Sequence, residues 1–226
     1  MKKERGMELM VAFFAGGCFW CMESDFEKIK GVKDVESGYI DGSEVNPTYD
    51  QVSAGKTGHT EAVKISYDPK EVTYAQLLES FWVNIDPTVK NRQFCDKGSQ
   101  YRSGIYYQSD KEKDLALASL ELVKENFPDT VIHTEIKKAT VFYKAEDYHQ
   151  DYYKRKPLPY KFYRYRCGRD SKLSKLWGSS KVFPGSVLER YKLSVSSSTN
   201  KSNSNSNSNS NTVSPVKDSD KNLDKN

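Results

Sequence analysis

The sequence predicts a mixed sandwich of helices and strands, α/β or α+β, followed by a disordered tail. Three observations predict it. Segments with helical spacing interleave with segments of alternating or continuous apolar character from Leu9 to about Lys156. The apolar run Leu9-Met10-Val11-Ala12-Phe13-Phe14-Ala15 passes through Gly16-Gly17 into Met22, Phe26 and Ile29 at helical spacing, which reads as strand, glycine turn and helix. From Ser194 the chain turns to Ser-Ser-Thr runs, an alternating Ser-Asn stretch over 202–211 and a Lys/Asp-rich end. That tail has no aromatic residue and almost no large aliphatic, so it cannot bury enough surface to offset the entropy of ordering.

The later elements follow in order. Thr60 to Tyr67 alternates, with Glu61, Val63, Ile65 and Tyr67 on one face of a strand and Thr60, Ala62, Lys64 and Ser66 on the other. Thr73 can cap a helix whose stripe is Leu77, Leu78, Phe81, Trp82 and Ile85, ending near Asp86-Pro87. Arg102 to Tyr107 reads as a strand. Asp110 can cap a second long helix, with Leu115, Ala118, Leu122 and Val123 inward, closing before Pro128. Val131 to Val141 alternates weakly as another strand, and Glu146 to Lys156 is short and helical. The expected organisation is a flexible N-terminus over 1–8, one domain over 9–193 and the tail over 194–226.

Cys18 stands where the first strand becomes a helix. A cysteine there sees the positive end of the helix dipole and free backbone N–H groups, both of which favour thiolate. Phe19 and Trp20 follow directly, and such rings beside a reactive sulfur suggest an apolar substrate pocket. Three other readings compete. A cysteine in an apolar setting is more often an inert core residue. Cys18 and Cys21 form a C-x-x-C pair, but a zinc site would have to draw Cys95 and Cys167 together across the fold, so no metal is expected. A thioredoxin-like dithiol also places C-x-x-C at a strand-to-helix junction and is the strongest competitor.

Glu61 leads the apolar face of its strand and is a candidate buried carboxyl. Burial disfavours its charged form, which suits a general acid near neutral pH. The commoner fate of a glutamate at a strand end is solvation.

Four stretches, Gly17-Cys18-Phe19-Trp20, Asn46-Pro47-Thr48-Tyr49, Thr57-Gly58-His59-Thr60-Glu61-Ala62-Val63 and Gln93-Phe94-Cys95-Asp96-Lys97-Gly98-Ser99-Gln100-Tyr101-Arg102-Ser103, together resemble the A-type peptide methionine sulfoxide reductases. The resemblance runs from about Leu9 to about Trp177, with the motifs in the family's order and at similar spacing. It implies an α+β, ferredoxin-like two-layer sandwich core with extra elements. It also implies a reaction. Cys18 attacks the sulfoxide sulfur of oxidised methionine, Glu61 supplies the proton that lets oxygen leave, and the Tyr49 and Tyr101 hydroxyls bind that oxygen. Phe19 and Trp20 cradle the S-methyl group, and Asp96 offers an acceptor. Cys18 becomes a sulfenic acid, a second thiol condenses with it, and thioredoxin or a similar dithiol opens the resulting disulfide. The family acts on the S epimer, on oxidised proteins or free methionine sulfoxide. The stretch from Ala145 to Tyr152 also matches, so that Glu146, Asp147 and His149 could orient the site's hydrogen bonds, although helix-surface charge is the preferred reading for most of them, and His59 could buttress Glu61.

This chain departs from the commonest family pattern twice. Cys21 stands where glycine usually follows Cys-Phe-Trp, and Tyr163-Arg164-Tyr165-Arg166-Cys167-Gly168-Arg169 replaces the glycine-rich segment that bears the recycling cysteine. The candidates for that thiol are Cys167, whose flanking arginines would lower its pKa, then Cys95 beside Asp96, then Cys21, for which a helix would demand a strained bridge.

Composition limits the alternatives. The formal net charge of +4, from 35 basic and 31 acidic residues, makes no global field that selects nucleic acid. Locally, residues 154–175 are densely basic with Tyr160, Phe162, Tyr163 and Tyr165 between the charges, the makings of a single-strand binding module. A surface segment with its tyrosines packed inward is the preferred reading, and nucleic acid is not expected as a partner. No Gly-x-Gly-x-x-Gly motif follows the first strand, so no nicotinamide or flavin cofactor is proposed. No apolar run approaches the ~18–20 residues of a membrane span. Cleaving the N-terminal stretch as a signal would remove Cys18, so a cytoplasmic location is expected, in which the four cysteines form disulfides only transiently.

Overall fold

The computed structural model describes residues 8–204, with side chains as far as residue 196. In chain order the elements are β1 (Met10–Gly16), α1 (Phe19–Phe26), β2 (Val32–Ile40), α2 (Tyr49–Ser53), β3 (Thr60–Tyr67), α3 (Tyr74–Trp82), β4 (Arg92–Gln93), β5 (Asp96–Lys97), a 3-10 turn (Ser99–Tyr101), β6 (Ser103–Tyr107) and α4 (Asp110–Asn126). There follow β7 (Glu135–Lys138), β8 (Tyr143–Lys144), α5 (Tyr152–Arg155), α6 (Pro157–Arg166), α7 (Arg169–Trp177) and α8 (Val187–Ser204).

Six strands form one mixed sheet in the order β7-β6-β1-β3-β2-β8, and β4 pairs with β5 as a separate hairpin. All neighbours in the sheet are antiparallel except β6 and β7. The central strands, β1 and β3, carry Phe14 opposite Val63. β1 is buried on both faces over Phe14 to Gly16, while Leu9 and Met10 are exposed and Val11 and Phe13 are half-buried. Asp41, just past β2, is reached by Arg102 before β6 and by Lys137 in β7, each at 2.9 Å.

The core lies between the sheet and the helices α1, α3 and α4. Phe14 of β1 stacks on Phe26 of α1 at 5.5 Å and on Phe81 of α3 at 5.1 Å between ring centroids. Trp82 is fully buried and donates its indole N–H to Ser119 Oγ at 2.8 Å, which fixes α3 against α4. The α3 start is the expected Thr73, whose hydroxyl and Gln76 form a reciprocal capping box.

Other elements depart from expectation for identifiable reasons. The cap of α4 is Ser109 rather than Asp110, its Oγ accepting from the Glu112 N–H at 3.3 Å. β2 has no counterpart in the sequence reading because a register shift between Val32 and Asp34 breaks its alternation. Only Glu135 to Lys138 of the weak strand pairs, and the helical stretch expected at Glu146 to Lys156 is turn except for α5. Within the basic segment, α6 begins at Pro157, an ordinary first helical residue, and α7 ends at Trp177 before Gly178, whose φ is +77°.

The chain divides into two units after Tyr191. The boundary expected at 193/194 therefore falls inside α8, whose Lys192 to Ser204 stretch belongs to the second unit. Residues 205–226 of the expected tail, and residues 1–7 of the expected flexible N-terminus, lie outside the described residues. No helix among the described residues is long and apolar enough to cross a membrane.

Candidate active site

The turn after β1 sets the nucleophile. Gly17 has φ +80°, and a Cβ on Gly16 would sit 2.4 Å from Met22 Sδ, so both positions demand glycine. Cys18 then caps α1, its carbonyl accepting from the N–H groups of Cys21 at 3.1 Å and Met22 at 3.3 Å. Its side chain is 5% exposed and Cys21 is 2% exposed. Burial, the Cys21 side chain and the Glu61 carboxyl push the Cys18 thiol well above its ordinary range, against the lowering expected from the helix terminus. The reason is magnitude. A helix end contributes about 0.3–1 kcal/mol, whereas full burial shifts a group by up to about 3–5 pKa units. Cys21 takes the anionic share of the pair. A hydrogen bond from Cys18 lowers its thiol to about 7, and Arg169 and Arg164 pull the same way against burial. Both cysteines are free thiols.

Glu61 lies in β3 opposite Tyr39 of β2 and is 3% exposed. Its Oε2 accepts the Phe19 N–H at 3.0 Å, tying the carboxyl to the first turn of α1. Burial raises it to about 8, with the Phe19 hydrogen bond opposing. A carboxylic acid that holds its proton at neutral pH beside a sulfur is equipped for general-acid work.

Cys18, Phe19, Trp20, Tyr49, Glu61, Asp96 and Tyr101 line one cavity of about 60 Å³, and Tyr163 completes its wall. Every catalytic and substrate-binding residue expected from the sequence is thus gathered in one place. Tyr49 opens α2, and its N–H is held by Glu146 Oε1 at 2.8 Å. The other Glu146 oxygen accepts from the Tyr39 hydroxyl at 2.8 Å. Burial raises the Tyr49 phenol to about 12 and the Tyr101 phenol further, so both remain protonated donors. Trp20 stacks on Tyr152 at 3.9 Å and donates its indole N–H to His149 Nδ1 at 3.1 Å. That bond and the lowering of His149 by burial keep the imidazole neutral with its proton on Nε2.

Glu146 and His149 therefore orient the pocket, while Asp147 is exposed. His59 is buried edge-on against Tyr143 at 5.7 Å and is not part of the cavity wall. Tyr152 and Tyr163 are site residues that sequence reasoning missed. The usable signal was the spacing of Tyr160, Tyr163 and Cys167 on one helical face, with Phe162 and Tyr165 on the exposed face.

Cys95 and Cys167 are bonded to each other. This bridge joins the β4–β5 hairpin to the C-cap of α6, next to Asp96 on one side and one helical turn from Tyr163 on the other. Among the described residues, two side-chain groups have ligand-like spacing, Cys95 with Asp96 and Cys167, and Glu23 with Glu27 and Asp151. In the first the sulfurs are spent on each other. In the second Lys154 Nζ already supplies the cation, 2.6 Å from Glu27 and 2.8 Å from Asp151.

The family described as peptide methionine sulfoxide reductase matches residues 10–181. The chain belongs to that family. It is 47% identical over 171 residues to the peptide methionine sulfoxide reductase MsrA of Bacillus subtilis, covering 75% of this chain and 96% of that protein. Over 171 residues it is 46% identical to the MsrA/MsrB protein of Vibrio cholerae, covering 75% of this chain and 45% of that protein, so it spans about half of that relative's length. Reduced Mxr1 of Saccharomyces cerevisiae has a similar structure, with a TM-score of 0.64, 32% identity and coverage of 69% of this chain and 90% of that one. The reductase motifs coincide with the cavity wall: Cys18 to Trp20, Tyr49, Glu61, Asp96 and Tyr101 are the residues that the wall brings together.

Proposed function

We propose that this protein reduces methionine-S-sulfoxide, protein-bound or free, to methionine. One observation carries the proposal: the Cys18 sulfur, the Glu61 carboxyl and the Tyr49 and Tyr101 hydroxyls share one small cavity floored by Phe19 and Trp20. Cys18 passes its proton to the Cys21 sulfur and attacks the sulfoxide sulfur as Glu61 delivers a proton to the oxygen, which the two phenols hold. Methionine leaves, and oxygen stays on Cys18 as a sulfenic acid. Of the three candidate thiols we assign Cys21 as the one that condenses with it, releasing water. Its sulfur contacts Cys18 and is lowered to about 7, while Cys95 and Cys167 are bonded to each other. With Cys18 at the cap and Cys21 three residues on, the pair has the C-x-x-C arrangement of dithiol oxidoreductases. A dithiol reductant, thioredoxin or similar, then opens the Cys18–Cys21 disulfide and is itself oxidised to a disulfide.

The proposal extends to fold and setting. The order β6-β1-β3-β2, with α1 between β1 and β2 and α3 between β3 and β6, supports a ferredoxin-like β-α-β-β-α-β core extended by β7 and β8. The free thiols of Cys18 and Cys21 support a reducing, cytoplasmic setting, whereas the Cys95–Cys167 bridge counts against it. Arg164, engaged with Asp25 and Asp170, and the buried Arg169 support an internal role for the basic segment over nucleic-acid binding.

The test uses purified protein, dithiothreitol and resolved S and R epimers of a methionine sulfoxide peptide, beside Cys18→Ser. Turnover of the S epimer alone, abolished in Cys18→Ser, is the expected result. Insulin disulfide reduction with neither epimer consumed would instead establish a dithiol oxidoreductase.

A further inference from the structure

Tyr163 shares the cavity wall with Cys18, Glu61, Tyr49, Tyr101 and Asp96, yet it comes from α6, outside the motifs that mark the site. Its hydroxyl donates to Asp96 Oδ2 at 2.5 Å, and its ring meets Trp20 edge-on at 5.9 Å. The same hydroxyl shares the cavity with the Cys18 sulfur and favours its ionised form. Four residues further along the same helical face, Cys167 is bonded to Cys95, the neighbour of Asp96 in the hairpin. One covalent tie and one hydrogen bond, a turn apart, thus hold α6 against the hairpin.

We propose that Tyr163 is a further catalytic donor, which turns from Asp96 to the Cys18 sulfur when that sulfur becomes thiolate, and that the Cys95–Cys167 bridge positions it for this. The proposal rests on the reading of Cys18 as the nucleophile. A phenol carries one proton and serves one acceptor at a time. While Cys18 is a thiol, that proton goes to Asp96. Once Cys18 is anionic, its full charge competes with Asp96 for that proton, and burial, which raises Asp96, weakens the carboxylate as the competing acceptor.

The other groups facing the sulfur oppose ionisation or are neutral. Cys21 on α1 and Glu61 on β3 both hold the thiol up, and Tyr49, Tyr101 and His149 are uncharged. Arg164 and Arg169 act on Cys21. Tyr163 is the partner that favours the anion. Opening the bridge takes two electrons and two protons from a dithiol, which becomes a disulfide. Asp96 then holds Tyr163 alone.

Alkylation of Cys18 by iodoacetamide from about pH 6 to about pH 10, read at that residue by peptide mass spectrometry, tests this without requiring any sulfoxide to be turned over. A protein that reduces no sulfoxide would sink the proposed function and leave this reading intact. In Tyr163→Phe the alkylation midpoint should rise by about one pH unit, and single-turnover reduction should slow about tenfold, the scale of one hydrogen bond to a charged group. Cys95→Ser/Cys167→Ser should move the midpoint the same way by less, and should add nothing in the Tyr163→Phe background. An unchanged midpoint in Tyr163→Phe, or a bridge effect that adds in full to it, would overturn the proposal. Should Tyr163→Phe fail to fold, the wild-type protein decides: a raised midpoint after its bridge is opened by dithiothreitol supports the proposal, and an unmoved one refutes it.

Discussion

Glu61 shows how a single residue serves chemistry at the expense of stability. Its carboxyl is raised by burial to about 8, whereas an unfolded glutamate titrates near about 4.3. Between those values the folded state holds a proton that the unfolded state releases, so stability falls as pH rises through that window. Below it both states are protonated and Glu61 contributes no pH dependence. Glu61→Gln keeps an acceptor for the Phe19 N–H and removes the titration. It should lower the sulfoxide-reduction rate by about 10²–10⁴-fold, the usual contribution of a positioned acid, while flattening stability between about pH 5 and pH 8. Rapid-quench kinetics and urea melts at several pH values read both effects. For the wild type, activity should fall above about pH 8 as Glu61 ionises. At this scale the site was largely legible. Cys18, Glu61, Tyr49 and Tyr101 come from four short motifs, and the alternation of β3 placed Glu61 on its buried face. The ionisation of Cys18 was not legible, because a helix start can be read from sequence but the burial that outweighs it cannot.

Elements were legible where period and caps agreed. Thr73, followed by a stripe of Leu77, Leu78, Phe81 and Trp82, announced the start of α3, while the helix ends at Trp82, short of Ile85 and the expected Asp86-Pro87. Thr73→Ala should cost about 1 kcal/mol, a fall of about 2–4 °C in Tm, with single-turnover kinetics unchanged because α3 contributes no residue to the cavity wall. A loss below about 0.3 kcal/mol in a urea melt would show that tertiary packing alone holds the start of this helix. β2 was not legible, since the shift between Val32 and Asp34 breaks the period-two pattern that marks a strand. Nor was α6 assigned as a helix, because Pro157, Pro159 and a run of charges masked a face on which Tyr160 and Tyr163 pack toward Cys18 and Trp20.

On the scale of the whole molecule, the Cys95–Cys167 bridge joins residues 72 apart and connects the hairpin under the site to the C-terminal helices. Bridges of this kind typically contribute about 2–4 kcal/mol, chiefly by constraining the unfolded chain. Cys95→Ser/Cys167→Ser should therefore unfold at lower urea by that amount while retaining the fold. Measuring this also certifies the variant for the alkylation test. This long-range pairing could not be read from the sequence, where each cysteine stands alone and only its neighbours are visible. The central claim is a redox one: two buried thiols three residues apart remove one oxygen and keep the oxidising equivalents. The most direct measurement mixes protein whose Cys95–Cys167 bridge is intact with excess methionine-S-sulfoxide peptide and no external reductant, counts the methionine formed and maps the disulfides. One methionine per protein and a new Cys18–Cys21 bond is the predicted result. No methionine, or methionine formed while Cys18 and Cys21 both remain thiols, would contradict it.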